Sequence, residues 1–361
     1  MKAIDIRAIT YILAILSALA STAIAGPDSK LQFFGGVSDP SLYPGQYPFS
    51  WPDTLFTRGP YNQAVCQDSA SEYQIQSGVN EFDGPTHLGW KPLDQFYNWT
   101  RAHHFTFNWY GGFMAATTDK WGDSRFSGPT WVQAFTNWVA TAASRYPDIE
   151  YITVANEVLH VNVSNSGFAQ AFGGTGTTGW DWVVNIAKLF RQYFPHAQLG
   201  INDFQVESAS NDLPYGSSGR TNLPAYLQLI RVLKEAGLID WVGLQSYSLE
   251  TVSSSNFASA LNQLGALGVS IILTEFSPDA YAGAGVDPNK VLTDWQRLLP
   301  LAINNRYVIG VTGPWTFRKS NNGSVPGSQW IVDDTVNPSS NTGTDSPTMT
   351  WLKGYIPGVL E

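Results

Sequence analysis

Short apolar runs recur along the chain and alternate with longer stretches whose apolar residues have helical spacing. Several of the runs are continuously apolar, which is typical of strands that are buried on both faces of a parallel sheet. The pattern predicts strands at residues 31–35, 105–109, 149–155, 198–202, 241–245, 270–274 and 307–311, with a weaker eighth strand near 73–77.

The stretches between these strands predict amphipathic helices. They lie at residues 131–145, 180–193, 225–235, 257–267 and 287–304, and residues 349–355 are predicted as a closing helix. Repeated strand–helix units with eight strands predict an α/β fold, a single (β/α)8 TIM barrel. A doubly wound open sheet is the alternative, but no Gly-x-Gly-x-x-Gly motif follows the first strand.

The first 25 residues have the pattern of a secretory signal peptide. Lys2 and Arg7 precede an apolar run, and a small-x-small cleavage site ends at Ala25. We therefore expect residues 1–25 to be removed on secretion and residues 26–361 to form one catalytic barrel. No later segment approaches the roughly 20 apolar residues that span a bilayer, so we expect no membrane association of the mature protein.

The composition argues against several kinds of partner and cofactor. A net charge of -9 gives an acidic surface that repels phosphate backbones, so nucleic acid is not an expected partner. Cys66 is the only cysteine and cannot form an intrachain disulfide, and the five histidines form no HExxH motif or Cys/His cluster. We therefore expect no metal and no cofactor, and a monomer. The 14 tryptophans suit a cleft that binds sugar rings.

Two glutamates directly follow predicted buried strands. Glu157 comes after residues 151–155 and Asn156, and Glu275 follows residues 271–274. The carboxyl ends of barrel strands face one active site, so both acids should enter the same cleft. A pair about 5–5.5 Å apart suits retaining glycoside hydrolysis, in which one carboxyl protonates the leaving oxygen and the other attacks the anomeric carbon. Asn156 can also hydrogen-bond a sugar 2-hydroxyl.

The sequence resembles glycoside hydrolase family 10 in four short motifs that occur in the family's order. They are Asn156-Glu157, Ile201-Asn202-Asp203-Phe204, Gly243-Leu244-Gln245 and Leu273-Thr274-Glu275-Phe276. The resemblance extends from about residue 31 to residue 356. That family is known chiefly for retaining endo-β-1,4-xylanases on (β/α)8 barrels. The resemblance therefore implies this fold, a xylan-like polysaccharide or oligosaccharide as substrate, Glu157 as acid/base and Glu275 as nucleophile.

The resemblance also implies roles for the residues around the two acids. Asn156 would bind the sugar, and Gln245 would line the cleft near the nucleophile. Asn202 and Asp203 would support the acid/base. Tyr247 stands where the family usually has a histidine, and its phenol can still donate a hydrogen bond to the nucleophile.

The segments that resemble substrate contacts depart from the family pattern. Neither histidine of the third-strand motif is present at residues 105–110, and only Glu72 remains of the motif that binds the glycone sugar. Trp109 and Trp315 are the predicted aromatic residues of the cleft. His160, three residues after Glu157, is a candidate contact to a sugar beyond the cleavage point.

These departures leave three functions open. The retained acids favour an endo-β-1,4-xylanase. The altered substrate contacts are also compatible with a retaining hydrolase of another β-glycan, such as a glucan, a mannan or a decorated oligosaccharide. A secreted carbohydrate-binding pseudoenzyme is the third hypothesis, but a binding protein has no need for two acids at strand ends.

Overall fold

The structure is a computed structural model of the chain. It describes residues 31–38, 59–66, 90–114, 128–213, 221–278, 287–313, 315–317, 330–333 and 344–361. Within these residues the strands of the main sheet are β1 (Phe33–Ser38), β2 (Gln63–Cys66), β3 (Thr106–Trp109), β4 (Phe113–Met114), β5 (Tyr151–Asn156), β6 (Gln198–Asp203), β7 (Trp241–Leu244), β8 (Ser270–Leu273) and β9 (Val308–Gly313).

The main sheet closes into a parallel barrel. Strands β1 to β3 pair in sequence, as do β5 to β9, while β3 and β4 both pair with β5 and β9 pairs with β1. Strands β3 and β4 therefore share one position in the barrel, which makes eight positions. The predicted (β/α)8 barrel is confirmed, and the doubly wound open sheet is excluded because β9 and β1 join the two edges.

The turn between β3 and β4 requires glycine at position 112. The amide of Gly112 donates to the carbonyl oxygen of Thr153 at 3.0 Å. A Cβ at this position would lie 1.9 Å from the carbonyl oxygen of Val154, so the backbone can approach β5 only without a side chain. This close approach lets the interrupted strand keep its pairing with β5.

Eight α-helices lie in the described part of the chain. They are α1 (Lys91–Ala102), α2 (Gly128–Arg145), α3 (Gly167–Ala171), α4 (Asp181–Tyr193), α5 (Leu223–Glu235), α6 (Ser254–Gly265), α7 (Pro288–Ile303) and α8 (Pro347–Tyr355). Serine side chains accept the first free amides of three of them, at Ser166, Ser253 and Ser346. Such caps satisfy amides that have no partner inside the helix.

Most of the predicted elements are confirmed, with boundaries that differ by a few residues. The second strand is the exception, because the structure has it at Gln63–Cys66 and the region predicted near 73–77 lies outside the described residues. Helix α1 was not predicted, although Pro92 lies in its first turn. A small second sheet joins β10 (Trp315–Phe317), β11 (Trp330–Asp333) and β12 (Thr344–Asp345).

The strands separate an inner layer from an outer aromatic layer. Phe33, Trp241 and Ile272 pack together as a cluster of their own inside the barrel. On β3, Phe107 and Trp109 instead contact helix residues, so Asn108 between them faces inward. No helix among the described residues is long and apolar enough to cross a bilayer.

Trp109 lies in the outer layer, and its prediction as a cleft residue is wrong. The side chain is fully buried, and its ring packs against Trp138 of α2 and Phe190 of α4, with centroid separations of 5.6 and 6.1 Å. Alternation along β3 decides this position, because the strand directs Asn108 inward and its neighbours outward. Trp109 therefore packs in the hydrophobic core, although it lies near a strand end.

The position of Trp109 predicts the effect of removing it. Trp109→Ala should lower the free energy of unfolding by about 3–5 kcal/mol, because it deletes a large buried ring. Trp109→Phe should cost clearly less, since it keeps an aromatic ring in the same layer. Chemical denaturation of the three proteins checks this. Unchanged stability in Trp109→Ala would show that the ring is not part of the core.

Candidate active site

Glu157 directly follows β5 at the carboxyl end of the barrel. Its backbone is in the left-handed region, with φ at 60°, and its amide donates to the carbonyl oxygen of Asn202 at 2.8 Å. Residues other than glycine seldom adopt this conformation, and it concentrates at functional sites where the surroundings hold it in place. The turn directs the partly buried Glu157 side chain into the cleft.

Glu275 follows β8 by two residues and is almost completely buried, with 3% exposed. Tyr247 donates its phenol hydrogen to Oε2 of Glu275 at 2.5 Å. Asn202 Nδ2 donates to Oε1 at 3.1 Å, and the phenol of Tyr110 donates to the same oxygen at 3.3 Å. Both carboxylate oxygens of Glu275 are therefore solvated by protein donors.

A single hydrogen-bond network connects Glu157 to Glu275. Gln245 Nε2 donates to Oε1 of Glu157 at 2.8 Å and lies 3.4 Å from Oδ1 of Asn156. The same Asn156 oxygen accepts from Asn202 Nδ2 at 2.8 Å, and this amide also reaches Glu275. The two acids, which are remote in the sequence, thus belong to one site at the carboxyl ends of β5, β6, β7 and β8.

Burial raises the pKa of both acids. Desolvation is the largest effect on Glu275 and raises its pKa to about 8, while hydrogen bonds from Tyr247 and Asn202 lower it and the charge of Glu157 raises it. Desolvation is also the largest cause of the raised pKa of Glu157, which the hydrogen bond from Gln245 opposes. Two interacting carboxyls of this kind titrate as a pair.

The backbone is strained directly after β7, in the segment that carries Gln245 and Tyr247. Ser246 and Ser248 have φ at 63° and 51°, on either side of Tyr247. The buried Glu207 accepts the amide of Ser246 at 2.7 Å and that of Val206 at 2.8 Å. Glu207 therefore fixes the segment that presents Gln245 to one acid and Tyr247 to the other. Burial raises the pKa of Glu207 to about 7.

The cleft beside Glu157 has a volume of about 190 Å³. Its lining contains predicted and unpredicted residues: Glu157, Phe204, Gln205, Glu207, Leu213, Gln245 and Tyr247. The adjacent Tyr110 was also missed, although it directly follows β3. Tyr110 and Phe204 each directly follow a strand, which is the same signal that identified Glu157.

Two of the predicted neighbours, Asn202 and Gln245, each contact the acid opposite to the one that the resemblance implies. Asn202 was expected to support Glu157, but its side chain donates to Glu275 and only its carbonyl oxygen contacts the Glu157 amide. Gln245 was expected near the nucleophile candidate, but it donates to Glu157. Tyr247 contacts Glu275, as expected.

The structure describes the remaining predicted residues to different extents. Asp203 contacts the turn after Glu157, where Leu159 N donates to Oδ2 at 3.0 Å. The ring of His160 packs on Phe204 and its Nε2 lies 3.1 Å from Asp203. Trp315 is described only as part of the backbone of β10, and Glu72 lies outside the described residues. In the described ranges, no three His, Cys, Asp or Glu side chains are grouped to hold a metal ion.

The raised pKa of Glu275 predicts a stability cost at high pH. Glu275 and Glu157 titrate as a pair: the folded pair keeps a proton to higher pH than two exposed carboxyls, which ionise near their ordinary pKa of 4.5 when unfolded, so the folded state loses stability as pH rises from this value towards about 8. Glu275→Gln removes one carboxyl of this pair. Thermal unfolding at pH 4.5 and pH 8 should show a gain for Glu275→Gln over wild type that is larger at pH 8. An equal difference at both values would contradict a buried, titrating Glu275.

Comparison with known proteins agrees with the barrel fold. Residues 54–335 match the family model described as glycosyl hydrolase family 10. Endo-1,4-beta-xylanase B from Cellvibrio japonicus (strain Ueda107) is 27% identical over 300 residues, which is 82% of this chain and 43% of that protein. The chain therefore spans less than half the length of this curated relative.

Solved structures share the fold at low identity. Native xylanase 10B from Thermotoga maritima superimposes with a TM-score of 0.68 at 12% identity, over 93% of this chain and 97% of that chain. A glycosylated endo-beta-1,4-xylanase from Gloeophyllum trabeum gives a TM-score of 0.67 at 15% identity, over 92% and 99%. With the barrel, the two acids at its rim and the match over most of the sequence established, the chain belongs to glycosyl hydrolase family 10.

Proposed function

We propose that the protein is a retaining endo-β-1,4-xylanase that uses Glu157 and Glu275. The observation that carries the proposal is the hydrogen-bond network that joins these two carboxyls across Asn156, Asn202 and Gln245 at the carboxyl end of the barrel. A retaining glycosidase needs two carboxyls that flank one scissile bond, one as acid/base and one as nucleophile.

The hydrogen bonds support different roles for the two acids. Glu275 accepts from Tyr247, Asn202 and Tyr110, and donors of this kind stabilise a carboxylate anion. Glu157 accepts from Gln245 and lines the open cleft, where it can reach a leaving group and later a water molecule. We therefore assign the nucleophile to Glu275 and the acid/base to Glu157.

In the first step, an oxygen of Glu275 forms a bond to the anomeric carbon while the bond to the leaving oxygen breaks. Glu157 gives its proton to that oxygen. In the second step, ionised Glu157 takes a proton from water, the water oxygen bonds to the anomeric carbon, and Glu275 is released as a carboxylate. The configuration is inverted twice and is therefore retained.

The proton count follows from the coupling of the two acids. Burial raises the pKa of both, so neutral forms persist to higher pH than for exposed glutamates. The active free enzyme holds one proton on the pair, and the three donors on Glu275 favour placing that proton on Glu157. The plot of kcat/KM against pH should thus be a bell, falling when the pair gains a second proton and when it loses its last.

Asn156 supports sugar binding between the acids. Its Oδ1 accepts from Asn202, whereas its buried Nδ2, which is near enough to Glu157 to lower the pKa of that acid, makes no close hydrogen bond among the described residues. A buried donor next to both carboxyls is suited to a sugar hydroxyl, and a hydrogen bond to the 2-hydroxyl strengthens in the transition state. We propose that Asn156 makes this contact.

Roles for Glu157 and Glu275 can be separated by the leaving group of the substrate. Glu157→Ala should lose about 10²–10⁴-fold in kcat/KM on xylan, because protonation of the sugar leaving group is lost. On an aryl xylobioside with a nitrophenolate leaving group, which needs little protonation, the loss in the glycosylation step should be much smaller. Steady-state kinetics of Glu157→Ala and Glu275→Ala on both substrates provide the measurement.

Glu275→Ala serves as the matched variant, because loss of the nucleophile should lower the rate severely on both substrates. Equal losses for Glu157→Ala on the two substrates would overturn its role as acid. Wild-type protein that binds glycans but hydrolyses none of them would instead be the pseudoenzyme of the third hypothesis.

Stereochemistry tests the retaining mechanism independently of any variant. Proton NMR of the first sugar released from a xylo-oligosaccharide should show the β-anomer before mutarotation sets in. Release of the α-anomer would mean a single displacement by water and would remove the nucleophile role from Glu275.

Xylan as the substrate is supported by the names of the relatives, endo-1,4-beta-xylanase B and endo-beta-1,4-xylanase among them. Tyr110 and Tyr247, at positions where the family pattern has histidine, favour a second candidate, a retaining hydrolase of another β-glycan. Assays on xylan, β-glucan, mannan and decorated oligosaccharides should give the highest kcat/KM on xylan. Turnover of another glycan without turnover of xylan would select the second candidate.

We also propose that residues 1–25 are a signal peptide and that the protein is secreted. This proposal is supported by the positively charged N-terminal region, by the apolar run that follows it and by the cleavage site at Ala25. Mass spectrometry of protein recovered from the medium or the periplasm should show Gly26 as the first residue. A protein found only inside the cell with its first 25 residues intact would contradict it.

A further inference from the structure

His160 lies one short turn beyond Glu157 and contacts a buried carboxylate. Its Nε2 is 3.1 Å from Oδ1 of Asp203, whose side chain is completely buried. The imidazole stacks on the ring of Phe204 at a centroid separation of 3.6 Å and an interplanar angle of 3°. Its amide donates to the carbonyl oxygen of Glu157 at 3.1 Å, so the residue is fixed to the acid/base through the backbone as well.

The carboxylate of Asp203 has all of its described hydrogen bonds on this turn and on its own strand end. Oδ2 accepts the amide of Leu159 at 3.0 Å, and Oδ1 accepts that of Phe204 at 2.9 Å. These contacts join the end of β6 to the 3₁₀ helix Val158–His160 that follows Glu157. The same strand end carries Asn202, which donates to Glu275.

The charged groups that face His160 are Asp203 and Glu157, and the charge of Asp203 also acts on the buried Glu207. Burial lowers the pKa of His160, but the hydrogen bond to Asp203 and the charges of Asp203 and Glu157 together raise it above its ordinary value. A protonated His160 in turn lowers the pKa of Glu157, whereas the charge of Asp203 raises it. His160 therefore offsets the charge of Asp203 next to the acid/base.

We propose that His160 is a positioning residue for hydrolysis: paired with Asp203 and stacked on Phe204, it sets the proton affinity of Glu157 through its own positive charge. The part of this inference that concerns catalysis rests on the proposed role of Glu157 as acid/base. The electrostatic coupling between the two side chains does not depend on that role.

The direction of the effect follows from the charges. Loss of the positive charge on His160 leaves the negative charge of Asp203 uncompensated and raises the pKa of Glu157. Glu157 then keeps its proton to higher pH, so the basic limb of the plot of kcat/KM against pH moves upward. A His160 that only filled space would change rates without moving this limb.

The test combines NMR titration with kinetics. The pKa of His160 is read from its ring proton signal in wild type and in Glu157→Gln, with His160→Gln used to assign the signal. Glu157→Gln should lower the pKa of His160, and His160→Gln should raise the pKa of Glu157, seen as a basic limb at higher pH. Because coupling between two titrating sites is reciprocal, both shifts should be present, and they should have opposite signs.

His196→Gln is the matched control. His196 is exposed and lies just before β6, at the opposite end of the strand that carries Asp203. Its replacement should leave the basic limb and the His160 signal unchanged. Asp203→Asn, which keeps the shape of the partner but removes its charge, should lower the pKa of His160.

An unchanged pKa of His160 in Glu157→Gln would overturn the proposal, as would an unmoved basic limb in an active His160→Gln enzyme. The NMR result needs no catalytic activity and remains decisive if a kinetic variant folds poorly. If Glu157→Ala keeps its activity on xylan while the NMR coupling is present, the assigned role of Glu157 fails and the coupling stands.

Discussion

The side-chain amide of Asn202 is the contact on which the site depends. It is completely buried at the carboxyl end of β6, and its Nδ2 donates to both Asn156 and Glu275. Its Oδ1 accepts the hydroxyl of Thr274, the residue before Glu275, at 2.5 Å. One planar group thereby fixes the ends of β5 and β8 relative to each other. A buried amide in this position must have its donors and acceptor satisfied, so the geometry of both strand ends is tightly specified.

The barrel fold brings together the strand ends that this amide connects. Parallel strands bring residues after β5, β6, β7 and β8 to one end, whatever their separation in the chain. The outer aromatic layer, including Trp109 and Trp138, holds the helices against the strands and keeps the rim in place. Burial disfavours the ionised forms of Glu275 and of the supporting Glu207 and so raises their pKa values. The tyrosine and asparagine donors on Glu275 oppose this effect.

The fold and the convergence of the two acids at one end of the barrel could be predicted because both follow simple patterns. Continuous apolar runs predicted seven of the strands, and a charged residue directly after a buried run identified Glu157 and Glu275. The second strand, Gln63–Cys66, was missed because four residues that begin with glutamine give a weak apolar signal. Trp109 was misplaced because composition does not say which face of a strand a ring occupies.

The finer contacts could not be predicted from the sequence. Gln245 donates to Glu157 while Tyr247 donates to Glu275, and no local pattern of the chain predicts the left-handed backbone at Ser246 between them. From the sequence, residues 105–110 show only that the family's histidines are absent, although the phenol of Tyr110 can reach the carboxylate of Glu275. Asn202 was assigned to the wrong acid because its strand lies between the two, and only distances decide which one its side chain contacts.

The proposed double displacement is tested most directly by identifying the residue that becomes bonded to the sugar. A 2-deoxy-2-fluoro xylobioside with a good leaving group forms the glycosyl-enzyme readily, and its fluorine slows the second step. Proteolysis and mass spectrometry of the inactivated protein should locate the sugar on Glu275. Attachment to any other residue, or turnover of xylan by an enzyme that this reagent never labels, would contradict the assignment of Glu275 as nucleophile.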